Sequence, residues 1–184
     1  GGTLAPTTIP DRICNNAETV TDKYTIELAQ SISKALHNLT GCFPSLIICR
    51  LKRSKIDCNR NIEDGACGDP NAIIAWHEFN SFVNQAQTEA QNNYEGNIFY
   101  VDLHGHAHPI PRIELGYLLY GSELRLPDDS LNKAKYINYS SIKDLALVNE
   151  QDLSHAELLR GSYALGSLLG NADYPSVPSI QIPY

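Results

Sequence analysis

Apolar residues in the first half of the chain recur at helical spacing in two places. Leu28, Ile32 and Leu36 lie on one face of a predicted amphipathic helix over residues 21–38. A longer helix is predicted from Asp69-Pro70, because Asp is a favoured N-cap and Pro is tolerated at the first helical position. Its apolar stripe continues to residue 90, and we expect it to end near residues 94–96.

Short, continuous apolar runs follow these helices. The runs at residues 46–49 and 98–101 predict strands that are buried on both faces, and residues 113–120 are a candidate third strand. Alternation of strands and helices is typical of an α/β fold with a mainly parallel or mixed sheet flanked by helices. In such sheets ligands bind beyond the carboxyl ends of the strands, which directs attention to the residues after Cys49 and after Val101.

The C-terminal third carries clear helix-boundary signals. Ser154 and Glu157 match a capping box and predict a helix that stops near Arg160-Gly161. A further short helix is predicted over residues 162–169, closed by Gly170, and the proline-containing tail from residue 174 is predicted to be irregular.

Length and charge restrict the possible classes of protein. A chain of 184 residues suits a single domain, here 1–184. A net charge of −7 argues against a nucleic-acid partner, because phosphate binding needs a concentrated basic surface. No apolar run approaches the roughly 20 residues that cross a bilayer, so no membrane partner is expected.

Several features favour a secreted, processed or partial chain. It begins with Gly-Gly and contains no Met. Two tripeptides match the N-glycosylation pattern, at Asn38 and Asn138. The five cysteines form no CxxC pair, which favours disulfides in an oxidising compartment, with one Cys left over. A cytosolic protein with five buried thiols is the alternative.

The segment 102–108 carries the densest set of potential metal ligands. His104, His106 and His108 alternate with small residues directly after the second apolar run. Imidazole is a common zinc ligand, and Asp102 could hold a ligand imidazole in the correct tautomer. This pattern predicts a metal site, although a His-rich surface turn is the alternative.

The segment 50–61 follows the first apolar run and is basic. Arginine and asparagine side chains suit a carboxylate clamp, and an arginine can stabilise the oxyanion that forms at an attacked amide. A solvated basic loop paired with Glu63 and Asp64 is the alternative. A thiol nucleophile at Cys49 or Cys58 is a weaker hypothesis, since a Cys in an apolar run is more often core or disulfide.

Taken together and in chain order, these segments resemble the N-formylglutamate amidohydrolase family and, more distantly, the zinc carboxypeptidases. The likeness covers most of the chain. Its elements are Gly1-Gly2, Ile9-Pro10-Asp11-Arg12, Val20-Thr21-Asp22, Arg50-x-x-Arg53-x-x-x-Asp57-x-Asn59-Arg60, Trp76-His77-Glu78-Phe79, Val101-Asp102-Leu103-His104-Gly105-His106 and Pro111-Arg112-Ile113-Glu114-Leu115-Gly116.

The resemblance implies a three-layer zinc-carboxypeptidase-like architecture and a zinc ion held by two His and one carboxylate. His104 matches the later His ligand, and Asp22, with Asp11 close behind, is the candidate carboxylate. Arg53, with Arg50 as alternate, matches the arginine that polarises the scissile carbonyl. The substrate carboxylate is assigned to Asn59 and Arg60, with His106 and Arg112 as further substrate-facing candidates.

Two functions follow from the resemblance. The first is zinc-dependent hydrolysis of an amide bond in an N-acyl or N-formyl amino acid or a small peptide with a free carboxylate. In this family the first His ligand precedes the Gly-Gly, and the general-base Glu is expected beyond Tyr184. The second is therefore a secreted non-catalytic homologue, with a binding, storage or structural role, that keeps the fold with an incomplete metal site.

Overall fold

A computed structural model describes residues 2–15, 17–94 and 98–184. They fall into two compact units, the first ending at Ala107 and the second running from His108 to Tyr184. The single domain over 1–184 stays a prediction. Among the described residues, none of the helices has the length and apolar character needed to cross a membrane.

The described part of the first unit contains three helices, two of them predicted. The helix α1 spans Thr25–Thr40 and ends at Gly41, whose positive φ of 78° suits a residue without a side chain. The short α2 spans Ile62–Ala66. The helix α3 spans Pro70–Asn93, and the Asp69 carboxylate caps it by accepting from the Ala72 N–H at 2.9 Å, as the Asp-Pro pair predicts.

The two predicted strands of the first unit do not form a regular ladder among the described residues. Beyond the first run, Leu51 forms an isolated parallel bridge with Leu4. The Leu4 N–H donates to the Arg50 carbonyl at 2.9 Å, and the Lys52 N–H donates to the Leu4 carbonyl at 2.8 Å. The side chains of the run 98–101 are exposed, Phe99 by 81%, whereas in the run 46–49 Leu46 is exposed and the other three are half-buried. The prediction of strands buried on both faces therefore differs from the structure, because strand burial needs a partner strand that an apolar run cannot itself supply.

The second unit consists of short helices around an apolar core, joined by one small sheet. Its helices are α4 (Gly121–Leu124), α5 (Asp128–Leu131), α6 (Ala134–Tyr139), α7 (Lys143–Val148), α8 (His155–Arg160) and α9 (Leu165–Asn171). The strands β1 (Ile113–Glu114) and β2 (Ser176–Val177) pair in parallel, with Ile113 opposite Ser176. Two residues a strand are too few to test the predicted three-layer α/β architecture, which stays a prediction.

The core of the second unit is built from residues on several short helices. Leu131 and Leu159 are fully buried, and Tyr117, Leu124 and Ala156 pack with them. The predicted capping box is present: the Ser154 hydroxyl accepts from the Glu157 N–H, and the Glu157 carboxylate accepts from the Ser154 N–H at 2.8 Å. The predicted helix over 162–169 instead begins at Leu165 and includes Gly170. The helices α4 to α7 were not predicted, because elements of four to six residues are too short to show periodicity.

Candidate metal and substrate site

The candidate site of the first unit centres on His104, whose imidazole lies between two carboxylates. His104 Nδ1 is 3.1 Å from Asp22 Oδ2, and Nε2 is 3.1 Å from Asp102 Oδ2. Asp22 also accepts from the Gly105 N–H at 3.0 Å. A Cβ at Gly105 would lie 3.3 Å from the Asp22 Cβ, so the absence of a side chain there permits the close approach.

The pKa values of His104 and Asp22 are shifted in opposite directions. Partial burial by itself lowers the pKa of His104, but the carboxylates of Asp102 and Asp22 raise it more, so the net pKa lies above its ordinary value. Partial burial by itself raises the pKa of Asp22, but the Gly105 N–H, His104 and Arg53 lower it more. In the metal-free protein the arrangement therefore favours an imidazolium between two carboxylates.

Arg53 reaches the same group from the basic segment. Its Nη1 lies 4.0 Å from Asp22 Oδ1, and its Nε donates to Asp57 Oδ2 at 2.8 Å. Asn59 also approaches His104, with Nδ2 3.2 Å from the imidazole Nε2. The structure thus brings together four residues that the sequence analysis selected: Asp22, Arg53, Asn59 and His104.

A buried ion-pair network supports Arg53 from behind. Asp57 is 4% exposed, binds Arg53, accepts from the Asn59 N–H at 3.2 Å and lies 3.7 Å from Arg12 Nη2. The guanidinium of Arg12 is buried and donates to the Arg53 carbonyl through Nε and Nη2, at 2.9 and 2.8 Å. The sequence analysis assigned no role to Arg12 or Asp57, although both lie in the motifs that carry the family resemblance. Their burial and their contacts show that they position Arg53 and Asn59.

The alternative candidates have other partners. Asp11 binds Ser54 Oγ and Lys55 Nζ at 2.9 and 3.1 Å rather than His104. Arg50 is exposed and accepts the Leu4 N–H with its carbonyl. Arg60 is exposed and its carbonyl accepts the Trp76 indole N–H at 3.0 Å. Of the alternatives in the sequence, the geometry places Asp22 and Arg53 beside His104.

The His104 group borders a cavity of about 780 Å³ within the first unit. Asp22, Arg53, Asn59 and His104 line one part of it, and the apolar segments 46–49 and 98–101 and helices α1 and α3 line the rest. A cavity with a few convergent polar groups in a mainly apolar wall is the usual form of a small-molecule site.

A second set of potential ligands lies in the second unit, on the segment 108–114. His108 Nδ1 is 2.9 Å from Glu114 Oε2, and Arg112 Nε is 3.3 Å from Glu114 Oε1. Among the described residues, His108 and Glu114 belong to a group of side chains that could hold a metal ion. Glu114 was not selected from the sequence, because a lone Glu in an apolar run carries no metal signal.

Two further groups of predicted residues can be placed. Asn38 and Asn138 are exposed, on α1 and α6 respectively. Cys14 and Cys67 form a disulfide with a Cα–Cα distance of 5.6 Å, which confirms that the chain carries disulfide-forming cysteines.

Comparisons with known proteins give no relatives. No family model, no curated protein and no solved structure matches the chain.

Proposed function

We propose that this protein is a zinc-dependent hydrolase that cleaves the amide bond of an N-acyl or N-formyl amino acid, or of a small peptide with a free carboxylate. The observation that carries the proposal is the convergence of Asp22, Arg53, Asn59 and His104, from three separate parts of the sequence, at one cavity. The resemblance to the N-formylglutamate amidohydrolases supports it, since that family uses these residue types in this order.

The donor set at His104 fits zinc. Ligands at zinc bond lengths of 2.0–2.2 Å in a tetrahedron are about 3.3–3.6 Å apart, and His104 Nδ1 and Asp22 Oδ2, 3.1 Å apart, need to separate only slightly to reach that spacing. Asp102 lies at the other ring nitrogen of His104, Nε2. In metal sites a carboxylate in this position holds the ligand imidazole in the correct orientation. In this proposal His104 and Asp22 hold the metal, and the family resemblance implies a second His as a further ligand.

Bound zinc would lower the pKa of its water, so that hydroxide is present near neutral pH. Arg53 is placed to act on the substrate carbonyl. Its Nε is fixed by Asp57, while Nη1 points to the Asp22 side of the site. A substrate carbonyl beside Asp22 would receive a hydrogen bond from this guanidinium, which stabilises the negative charge that develops on the oxygen during attack.

The substrate carboxylate is assigned to Asn59 and Arg60. The side chain of Asn59 lies beside the His104 imidazole, and the Asn59 backbone N–H donates to the Asp57 carboxylate. The exposed guanidinium of Arg60 adjoins it in sequence and offers the paired donors that a carboxylate accepts. The neighbouring cavity leaves room for an acyl group, and its apolar wall favours an uncharged one.

The test combines metal analysis with a hydrolysis assay on the natural protein. Zinc should be present at one equivalent, and a chelator should abolish hydrolysis of N-formyl and N-acetyl amino acids. Asp22→Asn should weaken zinc binding by 100-fold or more, since affinity depends on ligand charge and number. Asp11→Asn is the matched control and should bind zinc normally, because Asp11 pairs with Lys55 instead.

The role of Arg53 is tested separately. Arg53→Lys should retain zinc and lower kcat by about 10²–10³-fold, the range for loss of one oxyanion donor. Natural protein that contains no zinc and hydrolyses no N-acyl amino acid would contradict the proposal.

The second candidate is a non-catalytic homologue, and one observation favours it. The imidazole of His104 has a carboxylate at each ring nitrogen, an arrangement that also serves as a purely structural ion-pair cluster. In that case His104→Gln should lower the stability of the metal-free protein, while zinc added to the natural protein should leave its melting temperature unchanged.

A further inference from the structure

Three cysteines remain outside the Cys14–Cys67 disulfide, and two of them are neighbours in space. Cys42 is exposed, while Cys49 and Cys58 are both partly buried. Cys49 lies at the end of the first apolar run, and Cys58 lies between the site residues Asp57 and Asn59. Both line the cavity described above, and their side chains face each other at hydrogen-bonding range.

The segment between the two thiols is already folded into a compact loop. The Lys52 carbonyl accepts from the N–H groups of Lys55 and Ile56 at 2.8 and 3.2 Å. The Asp57 N–H donates to the Gly65 carbonyl at 2.9 Å, and Ile56 is 2% exposed. The backbone that leads to Cys58 is therefore ordered by hydrogen bonds and burial.

The two thiols also have complementary reactivity. The hydrogen bond from Cys58 lowers the pKa of Cys49 to about 7, whereas the same contact and burial raise the pKa of Cys58. A thiolate at Cys49 is the nucleophile that thiol–disulfide exchange requires, with a second thiol in contact to resolve the product.

We propose that Cys49 and Cys58 form a second, oxidant-dependent disulfide that ties the segment 46–51 to the turn carrying Asp57 and Asn59. The oxidant is a small-molecule disulfide such as oxidised glutathione. The Cys49 thiolate attacks one of its sulfurs, which forms a mixed disulfide and releases one glutathione thiolate. The Cys58 thiol then loses its proton and attacks Cys49 Sγ, which releases the second glutathione and leaves the Cys49–Cys58 bond.

This proposal is independent of the zinc hydrolase proposal, because it requires neither metal nor substrate. It pairs four of the five cysteines and leaves Cys42 as the unpaired one. An exposed Cys42 beside two internal disulfides is the pattern expected of a chain that can make one bond to another molecule.

The experiment is disulfide mapping of the full chain after incubation with oxidised glutathione. Free thiols are blocked with iodoacetamide under denaturing conditions, and the unreduced protein is digested with trypsin. We expect one blocked thiol in the oxidised protein and three after selective reduction of the Cys49–Cys58 bond. Because Cys42 and Cys49 share the tryptic peptide 35–50, mapping is done on the Cys42→Ser variant, where peptides 35–50 and 56–60 should be joined.

Variants at the pair test the order of attack. Cys58→Ser should accumulate a glutathione adduct on Cys49, since nothing resolves the mixed disulfide, and Cys49→Ser should leave Cys58 unmodified. The proposal would be overturned by three blocked thiols after oxidation, by a joined peptide that disappears in Cys42→Ser, or by a stable glutathione adduct without the joined peptide.

Discussion

The two units of the chain are stabilised in different ways. The first buries the charged groups of Arg12 and Asp57 in addition to a small apolar cluster of Ile9, Ala66 and Ala72, and leaves apolar residues such as 98–101 exposed. The second buries Leu131 and Leu159 in a conventional apolar core beneath short helices. A polar interior is weakly stabilising but fixes side-chain positions, whereas an apolar one is strongly stabilising and chemically inert. The contrast supports the proposal that the first unit carries the functional site.

The largest effect should come from removing the central charge of the first unit. Asp57→Asn leaves Arg12 and Arg53 without their carboxylate, and breaking a buried pair in this way costs about 3–5 kcal/mol. Urea unfolding followed by the fluorescence of Trp76, the single tryptophan, measures the loss. Asp11→Asn, at an exposed ion pair, is the control and should change the free energy of unfolding little. If Asp57→Asn had an equally small effect, the contrast between the two units would be wrong.

The apolar core of the second unit is tested with Leu159→Ala. Leu159 is fully buried, so the substitution should lower the free energy of unfolding by about 2–5 kcal/mol through lost transfer energy and a cavity. Hydrogen exchange of peptides from residues 121–171 measures this locally. Leu147→Ala, at a residue 78% exposed, should change exchange little, and a comparable change there would show that the core is not where the structure places it.

A smaller effect is expected at the capping box of α8. Ser154→Ala removes the acceptor for the Glu157 N–H and should cost about 1 kcal/mol. Ser154→Asp, which keeps an acceptor at the N-cap, should restore most of it. Both are measured by thermal unfolding, and equal losses in the two variants would mean that the cap does not act through this hydrogen bond.

The smallest effect concerns pH and the His104 cluster in metal-free protein. The raised pKa of His104 means that its contribution to stability is present below its ordinary value of 6.5 and is lost as pH rises through the raised value. The lowered pKa of Asp22 means that its contribution is present above 3.8 and is lost as pH falls through the lowered value. Stabilisation by the pair should therefore be greatest between pH 3.8 and 6.5.

The measurement is the free energy of unfolding across pH for the natural protein and His104→Gln, with a chelator present. The difference between them should shrink above pH 6.5. The double variant Asp22→Asn, His104→Gln, which lacks both members of the pair, is the control. If the difference in unfolding free energy between the natural protein and His104→Gln grew above pH 6.5, the pKa of His104 would not be raised.

Local signals in the sequence predicted local structure well. The Asp69-Pro70 pair and the Ser154–Glu157 box marked the starts of α3 and α8, because a cap is formed by residues three positions apart. Selection of Asp22, Arg53, Asn59 and His104 came from ordered motifs, and the structure places all four together. Apart from α8, the helices of four to six residues escaped prediction, since they are too short to show periodicity.

The sequence by itself determined which residues could do chemistry, because side-chain type and spacing limit the available ligands and donors. Tertiary structure alone decided that Asp22 rather than Asp11 stands at His104, and that Asp57 and Arg12 hold Arg53. It also decided that the apolar runs 46–49 and 98–101 form no ladder among the described residues. The physical reason is the same in each case: ion pairing, burial and strand pairing join residues distant in sequence, and local patterns carry no record of their partners.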